Sequence, residues 1–454
     1  MMQTANSINR INRLPVSRFH KTMIALIAVA YFFEFADINT FAATAPELRR
    51  VWGLSVPQIG YITSIAFVGM FLGSLVGGWL ADKWGRKFAL ISTTVWFSVF
   101  SLLTAAAWDF TSMATLRFLT SAGLSAMTVI AVIYVNEVFP AKVRGRYLAY
   151  AMVIGICGTP VTTFIASFVV PLSDSSWRLV YLWGSLGAIL IFGFKALVES
   201  PTWLESKGKL TKAEDVLRRM EEQVAATGVS IPAPAPPQEE VRRSENTPLR
   251  TLFRKRYIGP LLVLSILWIT QTVGFFGYSS WAPTLLADQG FLVEKSIFYV
   301  ALTTVGAPLG SLLAALITDK FERKWLLVIF GVVIGLCGLL YGLTFNPIMI
   351  VVFGFLVNMF ERGYTSFAYA YSPELFDTRT RSLGTGISYG IGRLSNALGP
   401  LIIAAIYGSS GYSSVFFFIA GTWIFGAIVL ALFGRKTRVR PTDQPEMASE
   451  ESSL

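Results

Sequence analysis

The chain has 454 residues, 54% of them hydrophobic and only 14% charged, with a mean hydropathy of +0.57 and a formal net charge of +11. That composition excludes both an ordinary water-soluble domain and a disordered chain. One His and two Cys leave no ligand set for a metal cluster and no Cys–His nucleophile pair, and no phosphate-binding loop occurs, so an enzyme and a cofactor are not expected.

The N-terminal tail, residues 1–21, carries Arg10, Arg13, Arg18 and Lys21 and lacks a signal-peptide pattern, so the first apolar run is expected to direct insertion. Runs near the roughly 20 residues that cross a bilayer then recur at 22–45, 57–81, 88–107, 112–136, 147–171 and 178–198. The first contains Glu34 and Asp37, where each charge costs at least about 2.5–3.5 kcal/mol near the bilayer centre. They are three residues apart and share a helix face. Taking Ala45 as the end of that helix puts Asp37 roughly 12 Å deep, and taking Ser112 as the start of the fourth puts Arg117 roughly 8 Å deep, so the two can pair. Between runs lie DKWGRK (82–87), in which Gly85 permits a tight turn, and NEVFPAKVRGR (136–146).

Residues 199–257 read as a linker, with a helical stretch from Thr211 to Ala226 and then the stiff spacer IPAPAPP. Six more runs follow at 258–286, 297–318, 325–343, 347–371, 384–407 and 412–434, before a polar tail at 435–454. Cys157 and Cys337 fall inside runs and read as two unpaired thiols. Arg393 lies about 13 Å into its run, counted from Gly384. Glu361 and Arg362 are adjacent and point about 100° apart, so they are not expected to face one partner; Asn358 shares a face with each. Gln271, Tyr278 and Trp281 on the seventh run and Asn396 on the eleventh complete a candidate set of polar and aromatic walls.

The chain repeats itself. GSLVGGWLADKWGRKFAL (73–90) matches GSLLAALITDKFERKWLL (310–327) at an offset of 237, and the same offset carries Ala45-Pro46 onto Ala282-Pro283, Glu137 onto Glu374 and Arg144 onto Arg381. The fold class expected is therefore an all-α membrane protein with twelve transmembrane helices in two pseudo-symmetric six-helix halves, 22–198 and 258–434. Of the 38 Lys and Arg, 30 fall on the tails and even-numbered connections, and only Arg49, Arg50, Arg178 and Lys295 on the opposite side. The positive-inside rule then puts both termini in the cytoplasm, with the basicity facing anionic lipid rather than nucleic acid.

The loop GGWLADKWGRK (77–87), NEVFPAKVRGR (136–146), ESPTWL (199–204) and the echoes DKFERK (319–324) and SPELFDTRTRSLG (372–384) resemble the major facilitator superfamily, in particular its sugar-porter, organic-ion and aromatic-acid:proton symporter branches. The second loop departs from the pattern, with Glu322 in place of the glycine. The resemblance implies a monomeric secondary transporter of the bacterial inner membrane, working by alternating access on a small molecule and H⁺. It implies that Asp82, Arg86, Glu137, Arg144, Asp319, Arg323, Glu374 and Arg381 form charge networks between helices and halves that latch one conformation. It implies that protonation of an acid at Asp37 releases Arg117, and that an Arg at 393 holds a substrate carboxylate. Glu34 is a departure and leaves open a proton shared with Asp37.

The offset adds weight. Glu34, Asp37 and Arg117 map onto Gln271, Gly274 and Gly354, so the charges are absent from the shared scaffold. Static salt bridges, a sugar or other polar metabolite as substrate, a uniporter, and a non-transporting membrane sensor remain alternatives at this point. The reading favoured by the residues is proton-coupled uptake of a small organic acid, nicotinate- or benzoate-like.

Overall fold

The computed structural model describes residues 7–226, 249–318, 320–377 and 380–437, and every regular element among them is helical. A short arm, α1 (Ser7–Asn12), precedes α2 (Arg18–Ile38) and α3 (Thr40–Trp52), which form the first crossing. The second, third and fourth are α4 (Val56–Trp84), α5 (Arg86–Thr104) and α6 (Phe110–Val138). The fifth is split into α7 (Ala141–Ile156) and α8 (Gly158–Val169), the sixth into α9 (Trp177–Ser185) and α10 (Leu190–Lys195). The linker holds α11 (Pro201–Ser206) and α12 (Leu210–Ala225). Then come α13 (Lys255–Ser279) with α14 (Ala282–Asp288), α15 (Val293–Thr304) with α16 (Gly306–Ile317), α17 (Arg323–Leu343), α18 (Pro347–Tyr371) and α19 (Arg381–Phe433).

Eleven of the described helical stretches are long and apolar enough to cross a membrane, and the last, Leu383–Phe433, runs 51 residues. That is roughly 75 Å, more than twice a hydrocarbon core of about 30 Å. Inside it Gly411 adopts φ 78° and ψ −175°, outside the helical region, so the stretch makes two crossings and the total among the described residues is twelve. The first crossing is longer than the run 22–45, because an amphipathic segment ending at Trp52 continues it past Ala45.

The chain divides into two compact units. The first comprises Met1–Arg243, Ser280–Leu302 and Pro400–Ala405; the second comprises Ser244–Ser279, Thr303–Gly399 and Ile406–Leu454.

In the first unit α4 packs along α6 at backbone contact. A Cβ on Gly69 would lie 2.3 Å from the Phe118 carbonyl oxygen, and one on Gly73 2.0 Å from that of Ala122. Small residues allow such approach where lipid supplies no hydrophobic drive between helices. The linker helix α12 turns Ala213, Leu217, Met220 and Val224 inward. Its charged side receives the N-terminal arm: Arg10 is buried and donates to Glu214 and Glu221, and Arg13 donates to Glu221. Burial pushes the Glu221 carboxyl up, but the two guanidinium groups outweigh it and hold it below the usual range. The arm also reaches the fifth crossing, where Asn12 accepts from the Ala141 amide.

The second unit repeats this packing at the same offset of 237. Gly306 and Gly310 of α16 press on the Phe355 and Met359 carbonyls of α18, with Cβ positions 2.4 and 1.8 Å away. Tyr134 donates to the Val198 carbonyl at 2.7 Å, and Tyr371 donates to that of Arg435 at 2.8 Å. The loops differ where the sequence differs. Gly85 has φ 99°, and Glu199 accepts from the Arg86 and Lys87 amides. Glu322 keeps a negative φ of −65°, and its own carboxylate accepts from the Thr437 amide at 3.0 Å. The same tie is made with its polarity reversed. The IPAPAPP spacer, Asp319 and the polar tail beyond Thr437 lie outside the described residues.

Candidate functional site

Asp37 sits one turn before a break in the first crossing. Asn39, at φ −88° and ψ −8°, separates α2 from α3, and its amide caps the Asp37 carbonyl. Its side chain turns back to the Phe35 carbonyl at 2.7 Å. The break frees the Asp37 carbonyl from a regular helical partner. It accepts from Thr40 Oγ1 at 2.7 Å and from Arg117 Nη2 at 3.2 Å.

The carboxylate is satisfied on both oxygens. Arg117 Nη1 donates to Oδ2 at 2.8 Å, and Ser101 Oγ on α5 donates to Oδ1 at 2.6 Å. Asp37 is 0% exposed and Arg117 2%. Two such charges are tolerated in a membrane interior because each compensates the other and hydrogen bonds fill what remains. Tyr181 on α9 lies over the guanidinium, its ring centroid 5.8 Å away, and its hydroxyl is bonded to Thr44 at 2.9 Å. Gly184 closes the site: a Cβ there would sit 2.6 Å from Asp37 Oδ1. Glu34, on the preceding turn of α2, is buried.

In the second unit the equivalent volumes are filled by uncharged groups. A Cβ on Gly274, the counterpart of Asp37, would meet Trp423 Nε1 at 2.4 Å. One on Gly354, the counterpart of Arg117, would meet the Tyr278 hydroxyl at 2.6 Å and Thr303 Cγ2 at 2.4 Å. Ser101, Thr40, Tyr181 and Gly184 escape a reading of charges alone. Ser101 had a signal nonetheless: at the same offset its counterpart is Gly338, so it too stands outside the shared scaffold.

The second unit has its own polar cluster. Glu361 on α18 is 0% exposed and accepts from Gln271 Nε2 on α13 at 2.8 Å and from Thr365 at 2.7 Å. Arg362 Nε lies 3.3 Å from its other oxygen. The two neighbours thus pair with each other, while the Arg362 guanidinium lies 4.7 Å from the centre of the Phe275 ring. Asn358 is buried and donates to the Gly354 carbonyl and to Thr303.

Arg393 on α19 is partly exposed. Its Nε donates to the Tyr389 hydroxyl at 2.9 Å, and Tyr369 donates to the same oxygen at 3.0 Å. The Trp268 ring meets Tyr389 edge-on at 4.8 Å and Tyr369 at a tilt at 5.0 Å. Tyr369 is 50% exposed. A guanidinium bonded to one phenol, which itself meets a second phenol and an indole, offers positive charge for a carboxylate beside faces for an aromatic ring. These three aromatic residues were not singled out by sequence, since Tyr and Trp in such helices more often pack or anchor. Of the other candidates, Tyr278 and Asn396 are buried in the second unit, while Trp281 is buried in the first, with its ring 3.5 Å from the Cβ position of Gly60.

The loop charges form matching pairs. Arg86 lies 3.0 Å from Asp82 and 2.7 Å from Glu137 in the first unit, and Arg323 pairs with Glu374 in the second at the same offset. Each of these pairs is internal to one unit. Arg144 donates to the Asn136 carbonyl at 3.3 Å, and Arg381 opens α19 with its amide on the Asp377 carbonyl.

The family model described as sugar (and other) transporter matches residues 19–447. YyaJ of Bacillus subtilis, provisionally described as a metabolite transport protein, is 43% identical over 436 residues, covering 96% of this chain and 97% of its own length. The niacin transporter NiaP of Acinetobacter baylyi is 27% identical, over 95% of this chain and 97% of its own. The 4-hydroxybenzoate transporter PcaK of the same organism is 28% identical, over 88% of each. Among solved structures, the xylose transporter XylE from Escherichia coli in a partially occluded inward open conformation matches with a TM-score of 0.74 at 17% identity. That match covers 93% of this chain and 100% of XylE, and it is a likeness of fold.

Proposed function

This chain belongs to the sugar (and other) transporter family, a multi-pass membrane family within the major facilitator superfamily, and we propose that it takes up a small aromatic carboxylate together with a proton. The observation that carries the coupling is the buried Asp37–Arg117 pair at a broken helix, present in one unit and replaced by uncharged groups in the other. Protonating Asp37 removes the charge that offsets the buried guanidinium. The free energies of two conformations then move relative to one another, as a coupled carrier needs. The substrate class is supported by Arg393 bonded to Tyr389, which in turn meets Tyr369 and Trp268, and by the aromatic acids in the names of two relatives.

In this reading the protein is a monomer of a bacterial inner membrane with both termini in the cytoplasm. The Asp82–Arg86–Glu137 and Arg323–Glu374 pairs, with Arg144, Asp319 and Arg381, bias conformation and do not touch substrate. Neutralising Asp82 or Arg144 should slow transport and change the labelling of cysteines introduced at the α4–α5 turn, with substrate affinity altered less than tenfold, or about 1.4 kcal/mol. Labelling identical to the parent's would remove that role.

The test of the function is uptake in proteoliposomes with an imposed pH gradient, acidic outside, using radiolabelled nicotinate, 4-hydroxybenzoate and xylose. Accumulation of either acid, abolished by collapsing the gradient, is expected. Accumulation of xylose alone would overturn the carboxylate assignment, and uptake indifferent to the gradient would overturn coupling.

A further inference from the structure

The Ser101 hydroxyl has two acceptors within reach. Asp37 Oδ1 is 2.6 Å away and the Tyr181 backbone carbonyl 3.3 Å. A serine hydroxyl carries one proton and two lone pairs, and it rotates to suit its surroundings. We infer that Ser101 is the positioning residue that serves both protonation states of Asp37, donating to the carboxylate and accepting from the carboxylic acid. The inference rests on the proposed proton coupling at Asp37.

The step balances as follows. With Asp37 ionised, the Ser101 proton points at Oδ1. When a hydronium ion delivers a proton to Oδ1, an O–H bond forms on Asp37, a water molecule is released, and the new O–H points at Ser101 Oγ. The Ser101 O–H turns to the Tyr181 carbonyl without breaking. The site has gained one proton and lost the negative charge of Asp37. Arg117 Nη1 then faces a neutral oxygen, while Nη2 keeps the Asp37 carbonyl.

The surroundings explain why a hydroxyl stands there. Asp37 faces Arg117 from α6, Ser101 from α5 and Gly184 from α9, with Glu34 one turn back on its own helix and Thr40 on its carbonyl. A guanidinium donates only, so Arg117 cannot accept the proton of the acid. An acid O–H buried without an acceptor is costly, and Ser101 is fully buried beside it. Gly184 leaves the hydroxyl room to turn, since a Cβ there would come within 3.0 Å of Ser101 Oγ as well as 2.6 Å of Oδ1.

The experiment is an infrared pH titration of the purified full-length protein in liposomes, which needs no substrate. The carboxylic-acid carbonyl band of Asp37 is assigned by its loss in Asp37→Asn and its survival in Glu34→Gln. In Ser101→Ala the carboxylate loses a donor and the acid loses its acceptor, so the diagnostic readout is the frequency of the acid band, which should rise because the acid O–H has lost its acceptor. Gly184→Ala, which crowds the same hydroxyl, should move the band in the same direction, whereas Ser98→Ala, one turn away on α5, should not. A Ser101→Ala band that absorbs like the parent's would overturn the role of Ser101 and leave coupling intact. A parent with no band sensitive to Asp37→Asn would instead overturn coupling at Asp37.

Discussion

Asp37→Asn should abolish concentrative uptake: in proteoliposomes with a pH gradient, the steady-state ratio of internal to external substrate should fall to about one. The amide is close in size, and its oxygen can still accept from Arg117 while its NH2 donates to Ser101 Oγ, so the packing of α2 against α5 and α6 is preserved. What is lost is a group that changes charge. Exchange of internal for external substrate, which needs no net proton movement, should survive at a reduced rate. Arg117→Ala should be harsher, because it leaves a carboxylate of 0% exposure without its counter-ion, the situation that costs about 3–5 kcal/mol when a buried pair is broken. The discriminating result is the Asp37→Asn pair of assays: full accumulation would remove Asp37 from the coupling mechanism, whereas loss of both accumulation and exchange would point to a structural pair.

Arg393→Ala should weaken substrate binding by about 2–5 kcal/mol, the cost of truncating one partner of a charged pair that the bound carboxylate buries, or roughly 30- to 4,000-fold in Kd. The guanidinium donates Nε to Tyr389, which fixes the plane of the fork. Arg393→Lys should recover little, since an ammonium cannot reproduce that plane. Tyr389→Phe should cost less than Arg393→Ala, because it loosens the fork without removing the charge. Nicotinate and its amide, compared by equilibrium binding to parent and mutant, separate recognition from general damage. The acid should lose most of its affinity on mutation and the amide little. Equal losses for acid and amide would make Arg393 structural.

The number of crossings was legible in the residues because bilayer physics leaves few choices: apolar runs must be helices, and their number follows from their length. The repeat was legible too, and the structure gives it physical content. Gly69 and Gly73 with Gly306 and Gly310, Tyr134 with Tyr371, and Arg86–Glu137 with Arg323–Glu374 make the same contacts one offset apart. The Asp37–Arg117 pairing followed from two charges that membrane helices cannot leave uncompensated.

Tertiary structure alone decided the rest. The break at Asn39, which turns the Asp37 carbonyl toward Arg117, occurs at a residue that helices tolerate, so no periodicity announces it. Ser101 and Gly184 are ordinary residues of apolar helices until α5 and α9 bring them to one carboxylate. The pairing of Arg362 with Glu361 is invisible to an argument from helical angle, because a side chain with several rotatable bonds can reach its own neighbour. Trp281 and Tyr278 are three residues apart in the chain, yet the end of α13 between them assigns one to each compact unit. Charge and hydropathy act over any distance along a chain and can be read from it. Hydrogen bonds and ring contacts act over a few ångströms, and which residues come that close is settled only when the helices pack.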